Sequence, residues 1–244
     1  MNKIILPLFV TALLLTSCSE ESFRKTMKTI NETIESPSGL TSSEVAAGLK
    51  EALVVGTNNA VDFAGKENQF LTTPRLRIPF PAEAEKVKST AQNLGLGSQV
   101  DKFEENLNHA AERAVSHATP IFVDAITSMT INDAFAILRG DDNAATDYLR
   151  RSTETSLRTA FQPEVNKAIN EVELTKYWQP LASAYNTAST FTGGEKVDPD
   201  LEAYVTGKAM DGLFLLISEE EEKIRENPAA RVTELLEKVF GAQD

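Results

Sequence analysis

From Leu40 to the C-terminus, apolar residues recur mostly at the spacing of three and four that is typical of amphipathic helices. Glycine, proline and capping residues divide this pattern into about eight to ten segments of helical length. We therefore predict an all-α fold, with residues 40–244 forming a single multi-helix domain and one short extended proline-rich segment.

The helix predicted from Pro199 to about Glu226 contains an unbroken apolar run over residues 213–217. Because such a run is apolar on every face of a helix, we expect this helix to lie at the centre of the domain. The four glutamates at 219–222 follow directly. Pairing at i,i+4 with Lys223 and Arg225 favours a solvent-exposed, salt-bridged surface there over a cation site.

Capping residues, glycines and prolines predict the bounds of the other helices. These helices are Ser43 to Gly65, residues 82–94, Ser98 to Ala118, a helix from Thr119-Pro120, Thr130 to Gly140, Asp141 or Asp142 to Phe161, Tyr177 to Tyr185, and a last helix after Asn227-Pro228. Gly48 and Gly56 share a face of the first of them, which indicates a close helix–helix contact. Thr130 and Asp133 form a near capping box, and Pro163 marks a break or a kink.

The segment from Thr73 to Pro81 is the one stretch that does not read as helix. It alternates polar and apolar residues between prolines, which confines it to an edge strand or an extended loop. Arg75 and Arg77 lie on its polar positions, where their planar guanidinium groups could clamp a carboxylate or a phosphate. The favoured alternative is a pair of structural ion bridges to nearby acids.

The first eighteen residues have the order of a secretory signal: a basic head, an apolar run from Ile4 to Leu15, and small residues before Cys18. Residues 15–18 resemble a bacterial lipobox, so we predict a signal peptide over 1–17 and lipidation of Cys18. Residues 18–39 would then form a tether with a possible short helix. The alternatives are an ordinary signal peptide with an incidental cysteine, or an uncleaved anchor.

The composition narrows the partners of the chain. Its 244 residues carry a formal net charge of −12, so we expect no binding to nucleic acid. They include one cysteine, so we expect no disulfide. The expected partners are the membrane, through the lipid on Cys18, and an unidentified envelope protein. The expected location is the bacterial cell envelope, with the outer membrane favoured, facing the periplasm or the cell surface. The oligomeric state stays open.

The sequence contains none of the familiar catalytic or cofactor motifs. His109 and His117 are its only histidines, and no phosphate loop or nucleophile elbow is present. We therefore predict no catalytic residue, no cofactor and no metal. Glu105, His109 and Glu112 share a helix face and could hold a metal ion, although an exposed polar face is the favoured interpretation.

A second polar group lies on two of the predicted helices. It consists of Asp147, Tyr148, Arg150 and Arg151 on one helix, and Lys208 and Asp211 on the other. We favour a buried structural network around Asp211 over a binding site. The candidate ligand-binding residues are Arg75, Arg77, Asp147, Tyr148, Arg151, Lys208 and Asp211.

Several short stretches, in order along the chain, resemble a known family. They are residues 47–53, 77–79, 144–148, 204–206, 211–214 and 239–241. Together they resemble the bacterial envelope family known as domain of unknown function 4197. The resemblance implies a helical domain on a secreted or lipidated protein, and it implies no activity.

The leading functional hypothesis is a lipid-anchored envelope protein that acts as a non-enzymatic interaction or structural module. The alternative is a small-ligand (anion) binding protein, or an unrecognised hydrolase that uses Arg77, Asp147, Tyr148 and Asp211. A cavity lined by these four residues would favour the alternative, and the same groups paired off and shielded from solvent would favour the module.

Overall fold

The computed structural model describes residues 41–171, 174–193 and 200–226, and they form helices joined by short connections. The helices are α1 Ser42–Ala64, α2 Gln69–Thr72, α3 Glu85–Asn93, α4 Gly97–Val115, α5 Thr119–Thr127, α6 Ile131–Leu138, α7 Ala144–Glu171, α8 Leu174–Thr192 and α9 Leu201–Glu226, with a short 3₁₀ turn over Ala82–Ala84 before α3. No strand occurs in these ranges, so the all-α prediction is confirmed. The predicted signal peptide, Cys18, the tether and the helix after Asn227 lie outside the described residues.

The helix starts show which local capping signals operate. The N-cap of α1 lies two residues earlier than predicted, because Thr41 rather than Ser43 occupies it and forms a reciprocal capping box with Glu44. The prediction that Ser98 caps α4 is also wrong. Ser98 lies inside the helix, and Leu96 occupies the N-cap position without a side-chain hydrogen bond.

The predicted cap of α6 is confirmed. The predicted extents of α7 and α8 are both too short. Thr130 and Asp133 form the expected capping box at the start of α6. Of the break or kink predicted at Pro163, the break is absent, since α7 continues past Phe161 and through Pro163 to Glu171. Pro163 and Thr159 lie on the exposed side of α7, so water can reach the carbonyl oxygen of Thr159 that the missing N–H of Pro163 leaves without its helical donor. α8 is likewise longer than the segment from Tyr177 to Tyr185.

α9 lies at the centre of the described residues, as its apolar run predicts. It packs against α1, α4 and α7. Within the run, Leu213, Phe214, Leu216 and Ile217 are buried, and Leu215 is partly exposed. The close contact predicted at a glycine of α1 is also present, because a Cβ on Gly56 would lie 3.4 Å from the Cβ of Glu220 on α9.

The proline-rich segment, residues 73–81, forms a loop that we call the strap. Its first half is a turn and not the extended conformation that was predicted, because the N–H groups of Leu76 and Arg77 both donate to the carbonyl oxygen of Thr73. Leu76, Ile78 and Phe80 point inward and are buried, while the intervening arginines face solvent. Phe80 packs between α4 and α8, with its ring centroid 4.9 Å from that of Phe103 and 6.1 Å from that of Trp178. The alternation read from the sequence is therefore an inside–outside alternation of side chains.

Gly212 on α9 provides the space in which α2 and the strap reach the core. A Cβ at this position would lie 2.9 Å from the ring of Phe70 and 3.5 Å from Leu76. We expect Gly212→Ala to lower the free energy of unfolding by about 1–3 kcal/mol, because the buried ring of Phe70 must shift, whereas Leu76 lies at ordinary contact distance.

Gly207 is the matched control for Gly212 on the same helix. Nothing lies within 4 Å of a Cβ built on Gly207. Gly207→Ala should leave stability unchanged or raise it by up to about 1 kcal/mol through helix propensity. Urea unfolding of both variants measures the difference, and equal effects would contradict the steric argument.

Candidate functional site

The strap arginines each engage one carboxylate of a neighbouring helix. Arg75 binds Glu219 of α9 through two hydrogen bonds, with Nη2 at 2.8 Å from Oε2. Arg77 lies 3.1 Å from Glu104 of α4, whose other oxygen accepts a hydrogen bond from Lys88 at 2.6 Å. This geometry matches the favoured hypothesis of structural ion bridges. Both arginine side chains are nevertheless about half exposed, at 49% and 50%.

A buried asparagine, which the sequence gave no reason to single out, holds the middle of the strap. The amide of Asn108 on α4 accepts a hydrogen bond from the N–H of Ile78 at 2.8 Å and donates to its carbonyl oxygen at 3.0 Å. The side chain of Asn108 thus provides the buried backbone groups of Ile78 with the hydrogen-bond partners that a neighbouring strand would provide in a sheet. The hydroxyl of Tyr204 donates to the carbonyl oxygen of Pro79 at 2.9 Å.

Glu112 has a buried structural role that the sequence did not reveal. Its carboxylate accepts a hydrogen bond from the N–H of Phe70 at 2.9 Å, at the start of α2, where Asn68 has a φ of 66°. Loss of solvation raises the pKa of Glu112, and the hydrogen bonds from backbone N–H groups oppose this rise.

The hypothesis that Glu105, His109 and Glu112 share an exposed polar face is wrong for Glu112, which is 3% exposed. The three residues are not gathered around one point either. Glu105 binds Lys102, and this hydrogen bond lowers the pKa of Glu105. The Nε2 of His109 lies 3.2 Å from the Oδ1 of Asn68.

The raised pKa of Glu112 predicts how stability changes with pH. Between the ordinary pKa of glutamate, 4.5, and the higher folded value, the folded state keeps a proton that the unfolded state has lost. Raising the pH through this window therefore removes stability. We expect wild type to lose stability relative to Glu112→Gln as the pH rises above 4.5, measured by urea unfolding at each pH.

Glu105→Gln is the matched control for this pH dependence. Because the pKa of Glu105 is lowered, its ionised form adds stability that is present above 4.5 and lost as the pH falls through the folded value. Wild type should therefore gain stability relative to Glu105→Gln as the pH rises. A pH-independent difference between wild type and Glu112→Gln would contradict the predicted role of Glu112.

The residues of the second polar group separate into an open depression and a surface ion pair. Asp147, Tyr148 and Arg151 line a depression of about 290 Å³ between α6 and α7, together with Asp133 and Asp141. Asp147 and Arg151 form no hydrogen bond or ion pair with each other, and both are exposed, whereas Tyr148 is partly buried.

Arg150 turns from this depression toward α9. It lies 3.4 Å from Asp211 and stacks over the ring of Phe214 at 4.4 Å. The buried network expected around Asp211 is absent, because the side chain of Asp211 is 60% exposed and Lys208 is also exposed. Arg77 and Asp211 do not line the depression that Asp147 and Tyr148 line. Each of the two is paired with an opposite charge but is at least half exposed, so the pairs are not shielded from solvent.

The glutamate run after the apolar stretch is only partly the exposed surface that was predicted. Glu221 does pair with Arg225, at 2.8 Å, but its side chain is only 6% exposed. Glu219 pairs with Arg75 rather than with Lys223, and Lys223 pairs with Glu220. The carboxylate of Glu221 also accepts hydrogen bonds from the first turn of α7.

Comparison with known proteins identifies the family of the chain. A family model described as a protein of unknown function (DUF4197) matches residues 39–241. The chain belongs to the DUF4197 family. A search of the curated proteins and a search of the solved structures return no match.

The DUF4197 match covers every helix that the structure describes. Within those described residues, no three His, Cys, Asp or Glu side chains group closely enough to hold a metal ion. In the same ranges no single helix has the length and apolar character to cross a membrane, although the bent pair Gly97–Thr127 and Ile131–Leu138 meets both criteria together.

Proposed function

We propose that this DUF4197 protein is a lipid-anchored component of the bacterial envelope that acts as a non-enzymatic interaction or structural module. The sequence of residues 15–18 supports the anchor, with Cys18 as the lipidated residue and the outer membrane as the favoured location. A tether of about twenty residues would separate the lipid from α1.

The observation that carries the proposal is the separation of the candidate catalytic groups. Arg77 binds Glu104, and Asp211 faces Arg150. Asp147 and Tyr148 line a different depression, on the α6–α7 side. Catalysis by general acids, bases or clamps requires such groups within hydrogen-bonding reach of one reacting centre, and these four groups lack a common centre.

A labelling experiment tests the anchor. Cells of the native host that express the full chain are grown with an alkynyl fatty acid, and the protein is isolated from the membrane fraction. We expect label on wild type and none on Cys18→Ser. Label that persists in Cys18→Ser would show that the lipid, if present, is attached elsewhere.

In-cell photo-crosslinking tests the module. The crosslinking amino acid is placed at Phe191 and at Leu215, whose side chains are 86% and 37% exposed. We expect a defined protein adduct, which persists when Arg77→Gln, Asp147→Asn, Tyr148→Phe and Asp211→Asn are combined in the same chain. The absence of protein adducts at both positions, or their loss in the combined variant with its helical circular dichroism intact, would contradict the proposal.

A further inference from the structure

A groove lies between α1 and α9, beside the strap, and we call it the α1–α9 groove. It encloses about 400 Å³, which is within the range of about 300–1,000 Å³ that is usual for small-molecule sites. Ala60, Phe63 and Leu216 contribute apolar surface to it, and the charged side chains of α1, α9 and the strap surround them.

Two acids of the groove accept a hydrogen bond from the protein at each of their oxygens. Each oxygen of Glu219 is bound by Arg75, one through Nε and one through Nη2. The oxygens of Glu220 are bound by Lys223 and, at 2.9 Å, by the amide of Asn59. Each carboxylate therefore already has a cation of the protein beside it, which offsets its charge.

The cations of the groove, in contrast, retain unused donors. Arg75 keeps both N–H groups of Nη1 and one of Nη2, because Glu219 occupies only the other two positions. Lys223 spends one donor on Glu220. The side-chain ammonium of Lys66 makes no hydrogen bond or ion pair with the part of the chain that the structure describes. The groove is thus rich in donors over an apolar floor.

We propose that the α1–α9 groove binds an organic anion, with a carboxylate or phosphate on Arg75, Lys66 and Lys223 and an apolar portion against Phe63 and Leu216. A planar guanidinium with a free edge suits either oxyanion, and the lysines add charge. The formal charge of the lining is balanced, while the whole chain carries −12, so this groove is less repulsive to an anion than most of the surface. The inference stands apart from the proposed module function, since neither needs the other.

Asp62 tests whether the ligand of the groove is an anion or a cation. It lies in the lining, and its carboxylate accepts no hydrogen bond from the described residues. An anion in the groove would be repelled by Asp62. Removing this charge should therefore tighten the binding of an anion and weaken the binding of a cation.

The test is isothermal titration calorimetry on the full chain in lipid nanodiscs, with empty nanodiscs as the blank. The probes are 4-phenylbutyrate and phenyl phosphate, which carry one apolar group and differ in the anion. Acetate and inorganic phosphate report the head groups alone, and 4-phenylbutylamine reverses the charge. We expect saturable binding of at least one aromatic anion, weaker binding of the head groups, and none of the amine.

The variants decide whether binding occurs in the groove. Arg75→Gln should weaken the bound anion about tenfold and Lys66→Gln about threefold, whereas Asp62→Asn should tighten it. The matched controls Arg158→Gln and Lys86→Gln change exposed cations that do not line the groove, and they should leave affinity unchanged. Asp62→Asn breaks no described contact, so it remains informative if Arg75→Gln is poorly folded.

Each outcome has a defined meaning. Binding of only phenylbutyrate identifies a carboxylate site, and binding of only phenyl phosphate identifies a phosphate site. Binding of both supports a general anion site. The proposal is overturned if neither anion binds, if the amine binds as tightly as the anions, or if Arg75→Gln and Asp62→Asn both leave the affinity unchanged.

Discussion

Glu221→Ala is expected to lower the free energy of unfolding by about 3–5 kcal/mol, the loss typical of removing one partner of a buried ion pair. The carboxylate of Glu221 accepts hydrogen bonds from the backbone N–H groups of Ala145 at 3.0 Å and Thr146 at 2.8 Å. It also binds the guanidinium of Arg225 at 2.8 Å. Arg225 in turn donates to the carbonyl oxygen of Ile137 at 3.1 Å, so one carboxylate connects α6, α7 and α9.

The variant would leave two kinds of buried group without their partner. The first-turn N–H groups of α7 would lose their acceptor, and the positive end of the helix dipole would lose its negative charge. The side chain of Arg225, which is 15% exposed, would keep its charge without Glu221 beside it. Both losses act on the folded state and not on the unfolded chain.

Urea unfolding monitored by circular dichroism measures the effect, and Glu222→Ala is the matched control. Glu222 is the adjacent residue of the same type, and it is exposed. Its replacement should change stability by less than about 0.5 kcal/mol. Glu221→Gln keeps the shape and one acceptor, so its loss should fall between the two. Similar losses for Glu221→Ala and Glu222→Ala would show that the buried pair does not stabilise this junction.

The architecture could be predicted where the deciding signal is local. The apolar run over residues 213–217 marks the central helix, because an all-round apolar surface can only be buried. The capping box of Thr130 and Asp133 involves residues three apart, and it is present as predicted. The alternation in the strap predicts which of its side chains face inward, because successive side chains of extended backbone point to opposite sides.

The roles of individual polar residues could not be predicted, because distant parts of the chain decide them. Glu221 and Glu222 are adjacent and identical in type, and only the packing of α7, about 75 residues away, buries the first of them. The same holds for Asn108, whose partner Ile78 lies on the strap, and for Glu112, whose partner Phe70 lies on α2. The one available hint is position, since both residues follow apolar neighbours on the buried face of α4.

The residues of the candidate site likewise could not be grouped from the sequence, because they come from distant parts of the chain. The sequence identifies Arg75 as a cation in an extended segment, and the structure adds the acid that pairs with it and the α1 residues of its groove. Lys66 and Lys223 are separated from Arg75 by very different distances along the chain, so no motif connects the three. Asp211, in contrast, looked buried because it precedes an apolar run, but it occupies the exposed stripe of α9.

Asn108→Ala is expected to produce the second large loss, about 2–4 kcal/mol, because it leaves both the N–H and the carbonyl oxygen of Ile78 buried without a partner. Ile78 is 1% exposed and Asn108 is 0% exposed, so water does not reach the groups that the amide now satisfies. Detachment of the strap at this point would also disturb Phe80, which follows two residues later and packs against Phe103.

Asn106→Ala is the matched control on the same helix, because the side chain of Asn106 is only partly buried and makes no hydrogen bond within the described residues. Hydrogen exchange at the amide of Ile78 separates a local from a global effect. Its protection should fall in Asn108→Ala by more than the loss of global stability explains, since the acceptor for that N–H is gone. If protection at Ile78 falls only as far as it does at the amides of α9, Asn108 contributes to packing and does not specifically anchor the strap.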